Sequence, residues 1–276
     1  MEGEFAALYF VGEKKESIKK EKFMLLQKMK WPEVKEKIGK GVVVVVPIGS
    51  TEQHGYHLPI DTDISIPCHI AIEATERTQD IVAPPINYGY NEKDLAFPGT
   101  VSVKTNSFLD YVFDVCDSLS RTGFKKILLL NGHGYNTFLV HTVCNMVNEK
   151  TDSLCASTSY FQLIPDVIKE LRQSKSPGGM AHSGEFETSV QLFLDPEHID
   201  MNKAVKEFGF HKTKYTWPDL LQMPPVYIRT NFDNNTKSGV IGDPTLATRE
   251  KGEKMVKALI ERLADFLRIF KEEITH

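Results

Sequence analysis

The stretch GSTEQHGYHLPIDTD, residues 49–63, places one Glu, two His and two Asp directly behind a run of five valines. Carboxylates together with imidazoles suit Zn, Mn or Fe better than Ca or Mg alone. Glu52 and His54 are two apart, so an extended chain points both to the same side. Gly49 and Gly55 permit tight turns around them, and Asp63, just before a predicted helix, can fold back over the pair. In NGHGYN (131–136), His133 sits between Gly132 and Gly134, where backbone can approach a ligand closely. A third cluster, AHSGEFETS (181–189), carries His182, Glu185 and Glu187 at the opening of a predicted helix. Glu185 and Glu187 lie about 200° apart on that helix, so at most one of them faces a common site.

These clusters need elements that bring them together. VVVVVPI (42–48) and KKILLLN (125–131) are continuous apolar runs, the pattern of strands covered on both faces. IVAPPI (81–86) and LCASTSYF (154–161) read as further strands, the latter followed by a helix to about Gln173. Helices are predicted over 64–78, 106–122, 136–149, 184–194 and 245–273. Strands alternating with helices give an α/β class, a sandwich with a mainly parallel sheet. In such sheets ligands bind beyond the carboxyl ends of the strands. The first two clusters follow the two most apolar strands, so both should meet at one sheet edge. Segment 205–244 is aromatic-rich and has no clear periodicity. Residues 13–40 read as amphipathic helix with charges of both signs, and residues 1–40 form a helical extension of a single domain spanning 1–276.

The chain has 276 residues, 41% of them hydrophobic, with 33 Lys plus Arg against 37 Asp plus Glu. The net charge of −4 argues against nucleic acid as a partner. No stretch has the length of a membrane span, and MEGEFAALYF lacks a signal-peptide pattern, so a cytoplasmic protein is expected. Cys68, Cys116, Cys144 and Cys155 form no C-x-x-C pair and are expected to be buried small hydrophobes.

The first two clusters, with FPGT (97–100), HSGEFETS and GDPTLATREKGE (242–253), resemble the creatininase, or creatinine amidohydrolase, family in type and order. The motifs span about residues 42–255. The resemblance implies a three-layer α/β/α fold and a binuclear metal centre, with Zn and/or Mn, or Fe, hydrolysing an amide C–N bond. By resemblance, Glu52 and His133 hold one metal, His54 and Glu187 the other, and Asp63 bridges both. His182 is implied as the proton-shuttling His, and Glu187 belongs with it in the catalytic set. Two cations about 3.5–4 Å apart can bind a bridging hydroxide and polarise a carbonyl. A His with a pKa near neutrality can then protonate the departing amine. Family members are often hexamers, so a homo-oligomer with a small-molecule substrate is expected.

Creatinine itself does not fit this reading. The creatinine-hydrolysing pattern has a proton-transferring Glu where this chain has Tyr135, and two closing tryptophans where it has Phe161 and roughly Gly178. The open alternatives are a formamido-pyrimidine nucleotide deformylase, with Lys104, Arg229, Lys237 and Arg249 as phosphate candidates, a creatininase-like peptidase, and a non-catalytic metal-binding scaffold. His57 is expected to support a ligand rather than be one. Asp61 is either a residue orienting a ligand His or an exposed turn residue. Pro98 and Gly99 are expected to shape the pocket floor, and loop 174–181 to form a mobile lid.

Overall fold

The structure, a computed structural model, describes residues 24–210 and 212–275. The charged stretch before residue 24, and His211, lie outside them. Helix α1 (Trp31–Gly39) leads into strand β1 (Val43–Ile48), and α2 (Thr62–Thr78) into β2 (Ile81–Val82). Then come α3 (Thr105–Arg121), β3 (Lys126–Asn131), α4 (Thr137–Lys150), β4 (Leu154–Ser159) and α5 (Pro165–Leu171). The chain continues through β5 (Met180–His182), α6 (Glu185–Leu194), β6 (Ile241–Gly242) and α7 (Arg249–Glu272). Leu25, Leu26 and Met29 pack into or against the core, but Trp31 is 76% exposed.

Strands β2, β1, β3 and β4 form a parallel sheet in that order. Alternate residues of each central strand feed opposite cores. Val43, Val45, Leu128 and Leu130 pack against α2, α6 and α7, while Val44, Val46, Ile127 and Leu129 pack against α3 and α4. This two-sided burial is why both strands read as unbroken apolar runs. The result is the expected three-layer α/β/α sandwich. The run 81–86 is shorter as a strand than expected, because Pro84 and Pro85 cannot donate to the ladder. Strands β5 and β6 are too short to carry a period and pair antiparallel in a separate small sheet. Cys68, Cys116 and Cys155 are buried, whereas Cys144 is only half-buried, its thiol donating to the Cys155 carbonyl.

The register of the central pair sets the site. Ile48 lies opposite Asn131, so the loops after β1 and β3 leave the sheet side by side. The first turn of α2 then lies across both exits. A methyl group on Gly49 would sit 2.3 Å from the Asp63 carbonyl oxygen, and one on Gly132 would sit 2.0 Å from the same atom. Only glycine allows this approach, and it delivers Asp63 between the two clusters.

Gly132→Ala is therefore expected to overpack this junction at a cost of about 1–3 kcal/mol, lowering Tm by roughly 3–10 °C in calorimetry. Gly39→Ala is the control, since its added carbon would meet nothing within 4 Å.

Candidate metal centre

Glu52 and His54 leave β1 in an extended loop and are fully buried. Asp63 stands in the first turn of α2 and Glu187 in the first turn of α6, where helix dipoles favour carboxylates. His133 follows β3 and His182 ends β5. His133 Nδ1 lies 2.8 Å from both Glu52 Oε2 and Asp63 Oδ2. His54 Nε2 lies 3.3 Å from Asp63 Oδ1, and His182 Nδ1 lies 3.8 Å from Glu52 Oε1. Three groups of side chains each bring one ligand atom within 4.8 Å of the others. They are Glu52 with Asp63 and His133, His54 with Asp63 and Glu187, and Glu52 with His54 and His182.

The imidazoles are oriented by backbone. His54 Nδ1–H donates to the Glu52 carbonyl, His133 Nε2–H to the Tyr90 carbonyl, and His182 Nε2–H to the Gln53 carbonyl. Each carbonyl can only accept, so in the neutral ring the opposite nitrogen presents a lone pair to the centre. Glu52 Oε1 and Oε2, His54 Nε2 and Asp63 Oδ2 are buried without a well-aligned hydrogen bond. Buried polar atoms that crowd together yet bond poorly to one another fit a shared cation. The donor set, carboxylate oxygen with imidazole nitrogen, fits zinc or manganese.

The same carboxylates govern proton affinity. Burial disfavours a charged His54, but Asp63, with Glu187 and Glu52, outweighs it and lifts the imidazole to about 10. Burial likewise opposes charge on His133, and Glu52 and Asp63 raise it well above the usual histidine range. Burial, reinforced by Asp63 and Glu52, pushes Glu187 up to about 7. His182 goes the other way: burial, helped by the charge on His54, pushes it to about 3 despite Glu52. Burial thus keeps it neutral around pH 7.

The remaining expected residues are spread around this centre. His57 Nε2 lies 3.0 Å from Thr188 Oγ1, next to Glu187, and burial pushes it to about 4. Asp61 is exposed at the start of α2, and the ring N–H groups it was expected to orient go to backbone carbonyls instead. Tyr135 and Phe161 line a cavity of ≈ 160 Å³ with Asp63, His133, His182 and Glu187 at one end. Glu185 turns away to Lys251, and Glu187 alone of that pair faces the centre. Asn131 and Asn136 bind backbone within and between loops. Pro98 and Gly99 do not floor the cavity, because they are exposed and line no part of it; Thr100 accepts from the Gln53 N–H instead. Loop 174–181 is not a free lid: buried Asp219 accepts from the Gly178 N–H and pairs with Arg172 at 2.8 Å. Arg172 also donates to the carbonyls of Ser174 and Lys175.

Several participants had no visible signal. The carbonyls of Tyr90 and Gln53 are backbone groups that no side-chain pattern reports. Trp217, Tyr227 and Phe232 come from the aperiodic segment and wall the cavity. Lys93 and Asp94, sequence neighbours before FPGT, are buried, with Asp94 close to Glu52. Burial brings Lys93 down to about 7 and, with the charge on Glu52, takes Asp94 up to about 9.

The family model described as "Creatininase: Creatinine amidohydrolase" matches residues 27–267. A creatinine amidohydrolase of Pseudomonas putida is 28% identical over 90% of this chain and 97% of its own. A 3-dehydro-scyllo-inosose hydrolase of Thermotoga maritima is 30% identical, covering 89% and 83% respectively. A solved creatininase in a manganese form superposes with a TM-score of 0.77 at 26% identity, over 90% of this chain and 98% of that one. A creatininase of Zn–Zn type aligns equally widely, with a TM-score of 0.76 at 26% identity.

Ligand nitrogens must be deprotonated to bind a cation. With His54 at about 10 and His133 raised, loading stripped protein with Zn²⁺ or Mn²⁺ at pH 7 should release protons, and affinity should rise with pH. Calorimetry in buffers of different ionisation enthalpy measures the release; a proton count of zero would contradict this electrostatic picture.

Proposed function

The chain belongs to the creatininase family of metal-dependent amidohydrolases, and we propose that it hydrolyses the amide C–N bond of a small, uncharged substrate with an apolar body. The observation that carries this reading is the convergence of six buried side chains, from four separate segments, four of which (Asp63, His133, His182 and Glu187) also line an apolar-walled cavity. In this reading Glu52 and His133 would hold one divalent cation, His54 and Glu187 the other, with Asp63 within reach of both groups. When bound, such a pair supplies an activated water and a Lewis acid for the carbonyl. The protein supplies the proton path: His182 Nδ1, free of other partners and facing Glu52, accepts the proton of the attacking water and returns it to the departing nitrogen.

The cavity argues for the substrate class. Its walls include Phe161, Trp217, Tyr227 and Phe232, and among the described residues no Lys or Arg lines it. Lys104, Arg229, Lys237 and Arg249 are all exposed outside it, which disfavours a nucleotide phosphate. Tyr135 in place of the proton-transferring Glu disfavours creatinine. We also place the protein in the cytoplasm as a homo-oligomer, a hexamer by family likeness. All four cysteines are free thiols, and no described helix is long and apolar enough to cross a membrane. Light scattering checks the assembly.

Elemental analysis is expected to find about two divalent ions per chain. Glu187→Gln should lose one of them and at least about 100-fold in kcat, as removal of a metal-bound catalytic carboxylate does. A screen of lactams, formamides and short peptides should give turnover that a chelator abolishes and Zn²⁺ or Mn²⁺ restores. Full activity of the chelated protein would refute the assignment.

A further inference from the structure

Lys93 is 3% exposed, and its ammonium makes no hydrogen bond. An unpaired buried ammonium is costly unless something else stabilises it. Here, besides the nearby carboxyls of Asp94 and Glu52, that something is aromatic. Nζ lies 2.7 Å from the centroid of the Tyr135 ring and 4.3 Å from that of Phe232. The Phe232 N–H also donates to the Lys93 carbonyl at 3.0 Å, which fixes this segment against the Phe232 turn.

Each ring in turn touches a histidine of the centre. Tyr135 packs on His133 with ring centroids 5.6 Å apart, and Phe232 meets His182 edge-on at 4.9 Å. His133, Tyr135, Lys93, Phe232 and His182 thus form a continuous chain of contacts drawn from four separate segments. His133 is otherwise held at its ring nitrogens, by the Tyr90 carbonyl and by Glu52 and Asp63, and His182 by the Gln53 carbonyl. Contacts at the ring nitrogens leave the tilt of the imidazole plane to its packing, and the tilted Tyr135 ring and the edge-on Phe232 ring limit that tilt.

We propose that Lys93 is a positioning residue whose ammonium clamps the faces of Tyr135 and Phe232 and, through those rings, sets the orientation of His133 and His182. The inference rests on the reading of these histidines as parts of the hydrolytic centre. It assigns no contact between Lys93 and substrate. The attraction is that of a cation for ring quadrupoles, strongest where water is excluded. Both rings also wall the cavity, so the clamp fixes the substrate wall and the two histidines together.

The test compares Lys93→Met, which keeps length and removes charge, with Lys93→Arg, which keeps a cation able to stack on rings. Lys93→Met should retain two metal ions and lose about tenfold in kcat, the size of one desolvated cation–π contact, with KM changed less. Lys93→Arg should recover most of the loss. Adding Lys93→Met to a Tyr135→Leu, Phe232→Leu background should cost little more, because the clamped faces are already gone. Two readouts need no substrate. In the Co²⁺-loaded protein the visible spectrum should change in Lys93→Met, and in the Zn²⁺-loaded protein the His133 and His182 imidazole resonances should move while those of His57 stay. Wild-type kcat with unmoved resonances in Lys93→Met would overturn the proposal, as would full additivity in the combined variant. If Lys93→Met fails to fold, the Lys93→Arg protein and the ring variants carry the same spectroscopic comparison. An inactive wild type with resonances that respond as described would discredit the hydrolase reading and leave the clamp standing.

Discussion

The site depends on how closely one helix can approach two strand ends. The first turn of α2 presses its backbone onto Gly49 and Gly132, at the exits of β1 and β3. That contact sets Asp63 between Glu52 and His133 on one side and His54 on the other. A side chain at either glycine would hold the helix off, and the shared carboxylate would no longer reach both clusters. The parallel register matters for the same reason: Ile48 opposite Asn131 makes the two loops start level. Geometry at the strand ends therefore comes before any chemistry of the metal centre.

Electrostatics builds on that placement. Three buried carboxylates face imidazoles whose other nitrogens are already committed to backbone carbonyls. Such a cluster is stabilised by protons that the histidines share with the carboxylates or by cations between the ligands. His54 and His133 take the proton-holding role, which is why their basicity rises so far above that of His182. The difference follows from position. His133 contacts two carboxylates at 2.8 Å, whereas His182 sits 3.8 Å from one and 4.4 Å, ring to ring, from His54. The same ring type is thus strongly basic in one place and neutral in another.

The wall of the cavity comes from segment 205–244, where hydrophobic periodicity fails. Trp217 and Tyr227 stand there without regular secondary structure, and the segment is tied down by Asp219 to Arg172 and by Glu207 to Thr236, Lys237 and Ser238. Polar ties hold an apolar wall, so the wall can be aromatic without belonging to a helix or strand.

The amino-acid order by itself determined the strands of the main parallel sheet, the helices that flank it and the identity of the chemically able residues. Unbroken valine and leucine runs must be buried on both faces, and clusters at their ends must emerge at one edge, so Glu52, His54 and His133 were legible together. Asp63 and His182 were legible as motif members, and Glu187 as one of two glutamates that spacing alone could not separate. Tertiary structure decided which glutamate turns inward, because Lys251 on α7 takes Glu185. It also decided that Asp61 stays exposed, that FPGT braces a loop instead of flooring the cavity, and that His182 is neutral. Burial, backbone carbonyl partners and contacts such as that of Lys93 with Tyr135 and Phe232 join residues remote in sequence. Local periodicity carries no record of them, since each depends on how separate segments pack against one another.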